Sequence, residues 1–314
     1  MIKILIGGSP CTYWSIGQST DNRESRAEGL GWELFKNYLI AKEKFKPDFF
    51  LYENNKSASK AIKDQIEREL GEDLMYINSN LVSAQNRERF YVFNWKVSQP
   101  EDRGIKLKDI LDSGYTYQDK SFCLTANYGK TPYPADLLKS VRSQVFELGE
   151  VGYHTGYEVK KETVKIGGYK RKANDLLKVP GISDGIYSIR KFSAAEMCRL
   201  QTMPDNYVDC VSWTKGATAL GNGWTAEVII HILNGALANV PRDEEIVVLS
   251  MYDGIGTGRY CLDKMGFKNI EYFAYEIDKS AIEIAKTNYP DIIEKGDAFR
   301  LREDNWELES IFLI

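Results

Sequence analysis

The chain has 314 residues, 43% of them hydrophobic and 27% charged, with a formal net charge of −4, a composition suited to one large folded domain or one large and one small. No charged leader precedes an apolar stretch and no apolar run approaches the length of about 18 residues that spans a bilayer, which argues against secretion and membrane insertion. The five cysteines at 11, 123, 198, 210 and 261 are odd in number and lack C-x-x-C spacing, which argues against a zinc ribbon and fits a reducing, cytoplasmic compartment.

Residues 2–6 form an apolar run of strand length, broken by Gly7-Gly8, after which Ser9-Pro10-Cys11 presents a thiol where a buried strand reaches the rim of a sheet. A helix is expected over residues 24–44, with Leu30, Leu34 and Tyr38 at helical spacing and Lys46-Pro47 as its stop. Residues 49–52 read as a second buried strand that delivers Glu53-Asn54-Asn55 at its end, so an acid stands at the carboxyl rim, where open α/β sheets bind ligands. Glu53 could equally cap the helix expected over residues 57–70, whose apolar face is Ala61, Ile62, Ile66 and Leu70 and whose stop is Gly71. Gln85-Asn86-Arg87-Glu88-Arg89 then leads into a strongly β-forming run at 90–95, and strand spacing sets Arg87 and Arg89 on one face, able to hold an acid and an anionic or carbonyl-bearing ligand together.

From about residue 100 to 189 the periodicity weakens, and the stretch reads as a separate small module with short strands. Its charge differs from the rest: residues 103–191 carry 16 Lys and Arg against 10 Asp and Glu, while the remainder is acidic by ten. Lys170-Arg171-Lys172 lies among tyrosines and glycines, a mixture suited to loops that touch phosphate and bases, although a solvated surface has the same composition. Order returns at Ser193 and Glu196, an S-x-x-E capping box before a short helix ended by Met203-Pro204. Asn222, between Gly221 and Gly223 and followed by Trp224, precedes a long apolar helix over 225–239, and the flanking glycines predict close approach of backbone to a ligand.

The last segment reads as strand (246–251), glycine turn, helix (259–265) and strand (271–275) ending at Glu276. The turn is Tyr252-Asp253-Gly254-Ile255-Gly256-Thr257-Gly258, and an acid about 20 residues beyond such a turn is the arrangement that holds a ribose. The G-x-G-x-G spacing departs from the dinucleotide fingerprint, so nothing marks a pyrophosphate site. A further strand near Ile292-Ile293 ends in Gly296-Asp297, a second rim acid able to accept from an adenine amino group.

Taken together these residues resemble the C5-cytosine DNA methyltransferases. Gly7 to Cys11 resembles the family's nucleophile motif, Glu53-Asn54-Asn55 its E-N-V, and Gln85 to Arg89 its Q-x-R-x-R. Arg190 to Tyr207 is similar to the late R-x-x-x-x-E-x-x-R-L-Q-x-x-P-D-x-Y stretch, Gly221-Asn222-Gly223-Trp224 to the final G-N motif, and Tyr252 to Gly258 with Glu276 and Asp297 to the cofactor motifs. Here the cofactor motifs come last instead of first, the order of a circular permutant.

The resemblance implies a Rossmann-like α/β sheet with helices on both faces and a smaller, irregular β-rich target-recognition domain. The expected division is a nucleophile half at 1–99, a recognition domain at 100–205 and a cofactor half at 206–314. It implies transfer of a methyl group from S-adenosyl-L-methionine, leaving S-adenosyl-L-homocysteine, to C5 of a flipped-out cytosine in double-stranded DNA, with no metal and as a monomer. Catalysis then falls to Cys11, which adds to C6, with Glu53 on N3 and the amino group, Arg89 on O2, and Arg87 on Glu53 or a phosphate. Tyr252, Asp253, Gly254, Gly256, Thr257, Gly258, Glu276, Ile277 and Asp297 are expected around the cofactor, with Asn222 and Trp224 closing its pocket. Ser9, Gln85 and Lys170-Arg171-Lys172 are expected on DNA, with Cys123 or Thr125 at the place of the family's recognition threonine. An RNA methyltransferase of the same fold and a non-catalytic DNA-binding subunit are the alternatives.

Overall fold

A computed structural model describes residues 1–15, 23–128, 143, 145–148, 156–160, 163–166 and 185–304. Two units divide it: residues 1–78, 88–100 and 226–314 form the first, and residues 79–87 and 101–225 the second. The helices that follow the small β module, up to residue 225, are grouped with it.

The first unit is built on a seven-stranded sheet of β1 (Ile2–Gly7), β2 (Phe49–Asn55), β3 (Met75–Asn78), β4 (Glu88–Phe93), β9 (Ile246–Met251), β10 (Ile270–Tyr275) and β11 (Ile293–Gly296), in the order β11-β10-β9-β1-β2-β4-β3. β4 runs antiparallel to both its neighbours, and the pairings from β11 to β2 are parallel. β1 and β9 are apolar except at Lys3 and Ser250 because both of their faces are covered, the usual signature of a buried parallel strand. From this central pair the chain winds outward in opposite directions, β1 to β2 on one side and β9 to β10 to β11 on the other, so the boundary between them is a topological switch point. The expected α/β class is observed.

Helix α1 (Gly29–Phe45) starts later than residue 24, and its register changes accordingly. Trp32, Phe35, Tyr38, Ala41 and Phe45 face the core, whereas Leu30 is 48% exposed. The reason is Glu24, whose carboxylate accepts from the Gly31 N–H and from Trp14 Nε1, holding residues 24–28 out of the helix. α2 (Lys60–Leu70) matches its expectation: Ser59 accepts from the Ile62 N–H, Ile62, Ile66 and Leu70 are buried, and Gly71 stops it in the left-handed region.

The second unit holds an antiparallel sheet in the order β5-β8-β6-β7, made of β5 (Val145–Leu148), β6 (Gly156–Lys160), β7 (Thr163–Ile166) and β8 (Gly185–Arg190). α3 (Ala194–Leu200) opens with the predicted capping box, Ser193 Oγ and the Glu196 carboxylate each accepting from the other residue's N–H. Arg190 adds a two-pronged bond to the fully buried Glu196 at 2.6 and 2.7 Å, which balances that acid's burial. α4 (Trp213–Asn222) was not legible, because its Gly- and Thr-containing sequence has weak helix propensity. The chain continues into α5 (Ala226–Leu237) of the first unit, followed beyond β9 by α6 (Thr257–Lys264) and beyond β10 by α7 (Lys279–Asn288).

At the end of β1, Gly7 pairs with Met251, and a Cβ on Gly7 would stand 2.4 Å from the Met251 carbonyl oxygen. Gly7→Ala forces the two central strands apart and is expected to cost roughly 1–3 kcal/mol of stability in urea unfolding, with the loss centred on the first unit.

Candidate active site

β1, β2, β9 and β10 end together at the carboxyl rim: Gly7 is level with Tyr52 and with Met251, and Met251 with Tyr275. The segments that carry Cys11, Glu53, the glycine turn and Glu276 all leave from this edge. Gly8 must lack a side chain, since a Cβ there would lie 2.4 Å from the Glu53 carbonyl oxygen. Asn54 Nδ2 donates to the Ser9 carbonyl at 2.9 Å and to the Tyr52 hydroxyl at 3.1 Å, and Ser9 Oγ is 2.8 Å from the same hydroxyl. Burial pushes the Tyr52 phenol far above its ordinary value, so it stays a neutral donor and acceptor.

Cys11 opens a short 3-10 turn, Cys11–Tyr13, and is half-buried. Trp14, wholly buried, anchors the turn from the far side through its bond to Glu24. Glu53 stands beside Arg89, with Oε1 3.3 Å from Nε and both side chains partly accessible. A thiol and a carboxyl–guanidinium pair thus sit on adjoining strand ends, a nucleophile beside a group able to hold a polar ring edge.

Three expectations change. Ser9 is 3% exposed with its hydroxyl on Tyr52, so its side chain faces the interior and not DNA. Gln85 is fully buried, donating to the Leu200 carbonyl and the Gln201 side chain and accepting from the Leu124 N–H, so it is a scaffold residue and not a DNA contact. Arg87 lies just ahead of β4, which begins at Glu88; its guanidinium is 4% exposed and donates to the carbonyls of Leu124 and Gly223 within the second unit.

The glycine turn is held from below. Tyr252 adopts a left-handed φ of 61°, rare for a bulky residue, with its hydroxyl donating to the Leu34 carbonyl at 2.7 Å and accepting from Asn37 Nδ2 at 3.3 Å. Glu276 accepts from the N–H groups of Gly254, Ile277 and Asp278, each at 2.8 Å, which fixes its carboxylate beside the turn. Ile277 next to it is 69% exposed, an apolar surface open to a flat ring. Asp297 is exposed at the end of β11 and accepts from the Phe299 N–H at 3.0 Å.

Asp253 is turned inward, with Oδ1 2.6 Å from both Ser250 Oγ and Tyr272 OH while Oδ2 has no hydrogen-bond partner among the described residues. Burial pushes it up to about 6. Glu294, which sequence reading missed, has both carboxyl oxygens buried without a hydrogen-bond partner among the described residues, and burial, reinforced by Asp253 and Glu276, pushes it up to about 7. An acid in a four-residue strand between Ile293 and Lys295 gave no signal of which way it faces.

In the second unit, Cys123 is half-buried, Thr125 and Asn222 are exposed and Trp224 is partly covered. A Cβ on Gly221 would lie 2.3 Å from the backbone of Thr125 and Ala126. The close approach that glycine permits is therefore to the protein's own chain, not to a ligand. Lys170, Arg171 and Lys172 lie outside the described residues. No helix among the described residues is long and apolar enough to cross a membrane.

Compared with known families, residues 1–236 match the model of the C-5 cytosine-specific DNA methylases. No curated protein matches the chain. The matched span holds Cys11, Glu53, Arg89 and the second unit, and ends before β9.

The acids under the glycine turn set a pH dependence. Glu294 ionises near 4.5 in the unfolded chain and near 7 in the folded one, so the folded state holds an extra proton between these values and stability falls as pH rises through that window. Glu294→Gln is expected to unfold at higher urea than the parent at pH 8, by on the order of 1 kcal/mol once screening by water is allowed for, and at nearly the same urea at pH 4.5.

Proposed function

The chain belongs to the C-5 cytosine-specific DNA methylase family, and on that basis we propose that it moves a methyl group from S-adenosyl methionine to C5 of a flipped-out cytosine in duplex DNA through a covalent Cys11–C6 adduct. The observation that carries this reading is the pairing of β1 with β9. It starts the Cys11 turn and the glycine turn from neighbouring, parallel strand ends, as a reaction between two bound molecules requires.

The residues at the rim fit the donor. Glu276, fixed by three N–H groups, has lone pairs left for ribose hydroxyls; Ile277 offers an apolar face to adenine; Asp297 accepts from its amino group. Asp253, with one buried oxygen lacking a hydrogen-bond partner among the described residues, suits a cationic amino group. Tyr252, Gly254, Gly256, Thr257 and Gly258 are proposed to carry backbone close to the methionine portion, and the family resemblance assigns Asn222 and Trp224 to the same ligand. When bound, S-adenosyl methionine supplies an electrophilic methyl group.

Cytosine C5 is a weak nucleophile until a sulfur adds at C6. The Cys11 thiolate forms that bond while Glu53 shares a proton with N3 and accepts from the 4-amino group, and Arg89 donates to O2. The electron pair pushed onto the ring makes C5 able to take the methyl group; loss of the C5 proton to a base then expels the Cys11 sulfur and restores the aromatic ring. A cytosine inside a duplex exposes neither face of C6, so the base has to leave the stack, at a cost of a few kcal/mol. The basic stretch at 103–191, with Thr125 and Lys170-Arg171-Lys172, is the surface proposed to offset that cost through phosphate and groove contacts.

The chain is further proposed to be a circular permutant. β9, β10 and β11 lie beyond the matched span yet fill the sheet beside β1 and carry the glycine turn and both rim acids.

Bisulfite sequencing of unmethylated genomic DNA treated with the protein and S-adenosyl methionine is expected to show methylated cytosine at a recurrent site, and tritium release from duplex DNA is expected to exceed release from transfer RNA. Cys11→Ser is expected to lower turnover by at least about 10³-fold, while binding of S-adenosyl homocysteine by calorimetry stays within about twofold of the parent. Full turnover by that variant removes the covalent mechanism; preference for transfer RNA removes the DNA reading.

A further inference from the structure

Arg87 is nearly sequestered from water, yet it sits between two segments that the proposed function assigns to different ligands. Its Nη1 donates to the Leu124 carbonyl at 2.8 Å and lies 3.2 Å from Cys123 Sγ; its Nη2 donates to the carbonyls of Gly223 at 2.7 Å and Gly221 at 3.2 Å. One prong therefore holds the segment leading to Thr125, and the other brackets Asn222 and leads to Trp224. A guanidinium is a rigid, planar fork, so both sets of carbonyls must keep one relative position for its donors to be satisfied, and a buried donor left without an acceptor is unfavourable.

The same two segments also touch directly. The end of α4 packs against the backbone of Thr125 and Ala126 so closely that only glycine fits at position 221, and Thr218 Oγ1 donates to the Ala126 carbonyl at 3.1 Å. A second relay runs from the Leu124 N–H to Gln85, on to Gln201 and to the Leu220 carbonyl, with distances of 3.1, 2.9 and 2.6 Å. Arg87 differs from this relay in bridging the two segments with a single side chain.

We propose that Arg87 is a positioning residue that couples cofactor binding at residues 221–224 to the order of the target-facing segment at residues 123–127. The inference rests on the assignment of Asn222 and Trp224 to the cofactor. Fixing the carbonyls on either side of Asn222 fixes one prong of the fork, and its planarity then restricts where the Leu124 carbonyl can sit. The site thus favours a formed DNA-contacting segment once the methyl donor is in place. Lysine cannot replace this, because a single ammonium does not present two parallel donors to two separate segments.

The test is hydrogen exchange on the full chain with and without S-adenosyl homocysteine. In the parent protein the ligand is expected to slow exchange at residues 221–225 and, by roughly tenfold, at residues 123–128. In Arg87→Lys, which keeps the Gln85–Gln201 relay that holds the fold, protection at 221–225 is expected to persist and the ligand-dependent slowing at 123–128 to shrink to within about twofold. A merely structural role would raise exchange in the variant equally with and without ligand and leave the ligand-dependent difference intact, so an unchanged difference overturns the coupling. Absence of slowing at 123–128 in the parent despite bound ligand overturns it as well. Should Arg87→Lys not fold, Thr218→Val, which deletes a single tether, is expected to reduce the slowing at 123–128, and an unreduced value counts against the proposal. Failure of the parent to bind S-adenosyl homocysteine is a separate result: it removes the cofactor assignment itself and this inference with it.

Discussion

The parallel pairing of β1 with β9 is the constraint on which the first unit depends. It joins residues almost 250 positions apart in a register that ends at Gly7 and Met251, leaving no room there for a Cβ. Because both strands are buried on both faces and twisted into one sheet, their carboxyl ends cannot shift separately. Whatever leaves those ends, a thiol-bearing turn on one side and a glycine turn on the other, inherits a fixed separation. Strand pairing is blind to connectivity, so the order in which the chain makes β1 and β9 does not alter where their ends meet.

Around that fixed edge, the loops are held by side chains bonding to backbone carbonyls. Asn54 and Tyr52 hold Ser9, two residues before Cys11; Tyr252 reaches the Leu34 carbonyl from a strained left-handed position; Arg87 and Gln201 hold carbonyls at the end of α4. Loops lack the repeating bonds of helices and sheets, so buried polar side chains supply the missing partners and at the same time fix the geometry. In the Q-x-R-x-R stretch, alternate residues therefore take different partners: Gln85 and Arg87 bond to neighbouring loops of the second unit, and Arg89 lies against Glu53.

The glycine turn also stands over two inward carboxyl groups, Asp253 and Glu294, each raised by burial and neither fully hydrogen-bonded among the described residues. Buried acids without full pairing are a recurrent mark of sites that bind charged ligands, because the protein carries the cost of poor solvation until a ligand relieves it. Glu276 avoids that cost by accepting three backbone N–H groups, which frees it to serve as a rigid acceptor.

The sequence by itself determined the α/β class, the central strands, α2, the capping box at Ser193 and the rim position of Cys11, Glu53 and Glu276. Each of these rests on local signals: apolar runs of strand length, helix caps, glycine breaks and the residue that follows a strand. It also marked Gly221 as a point of close approach, although not what approaches. Only the tertiary structure decided that the approaching group is the Thr125–Ala126 backbone, that Arg87 reaches the Leu124 carbonyl, that Ser9 and Gln85 point inward, and that the Glu294 carboxyl oxygens are buried. These depend on which distant segment fills the space next to a residue, and side-chain direction in a loop follows that neighbour rather than any repeating pattern in the chain.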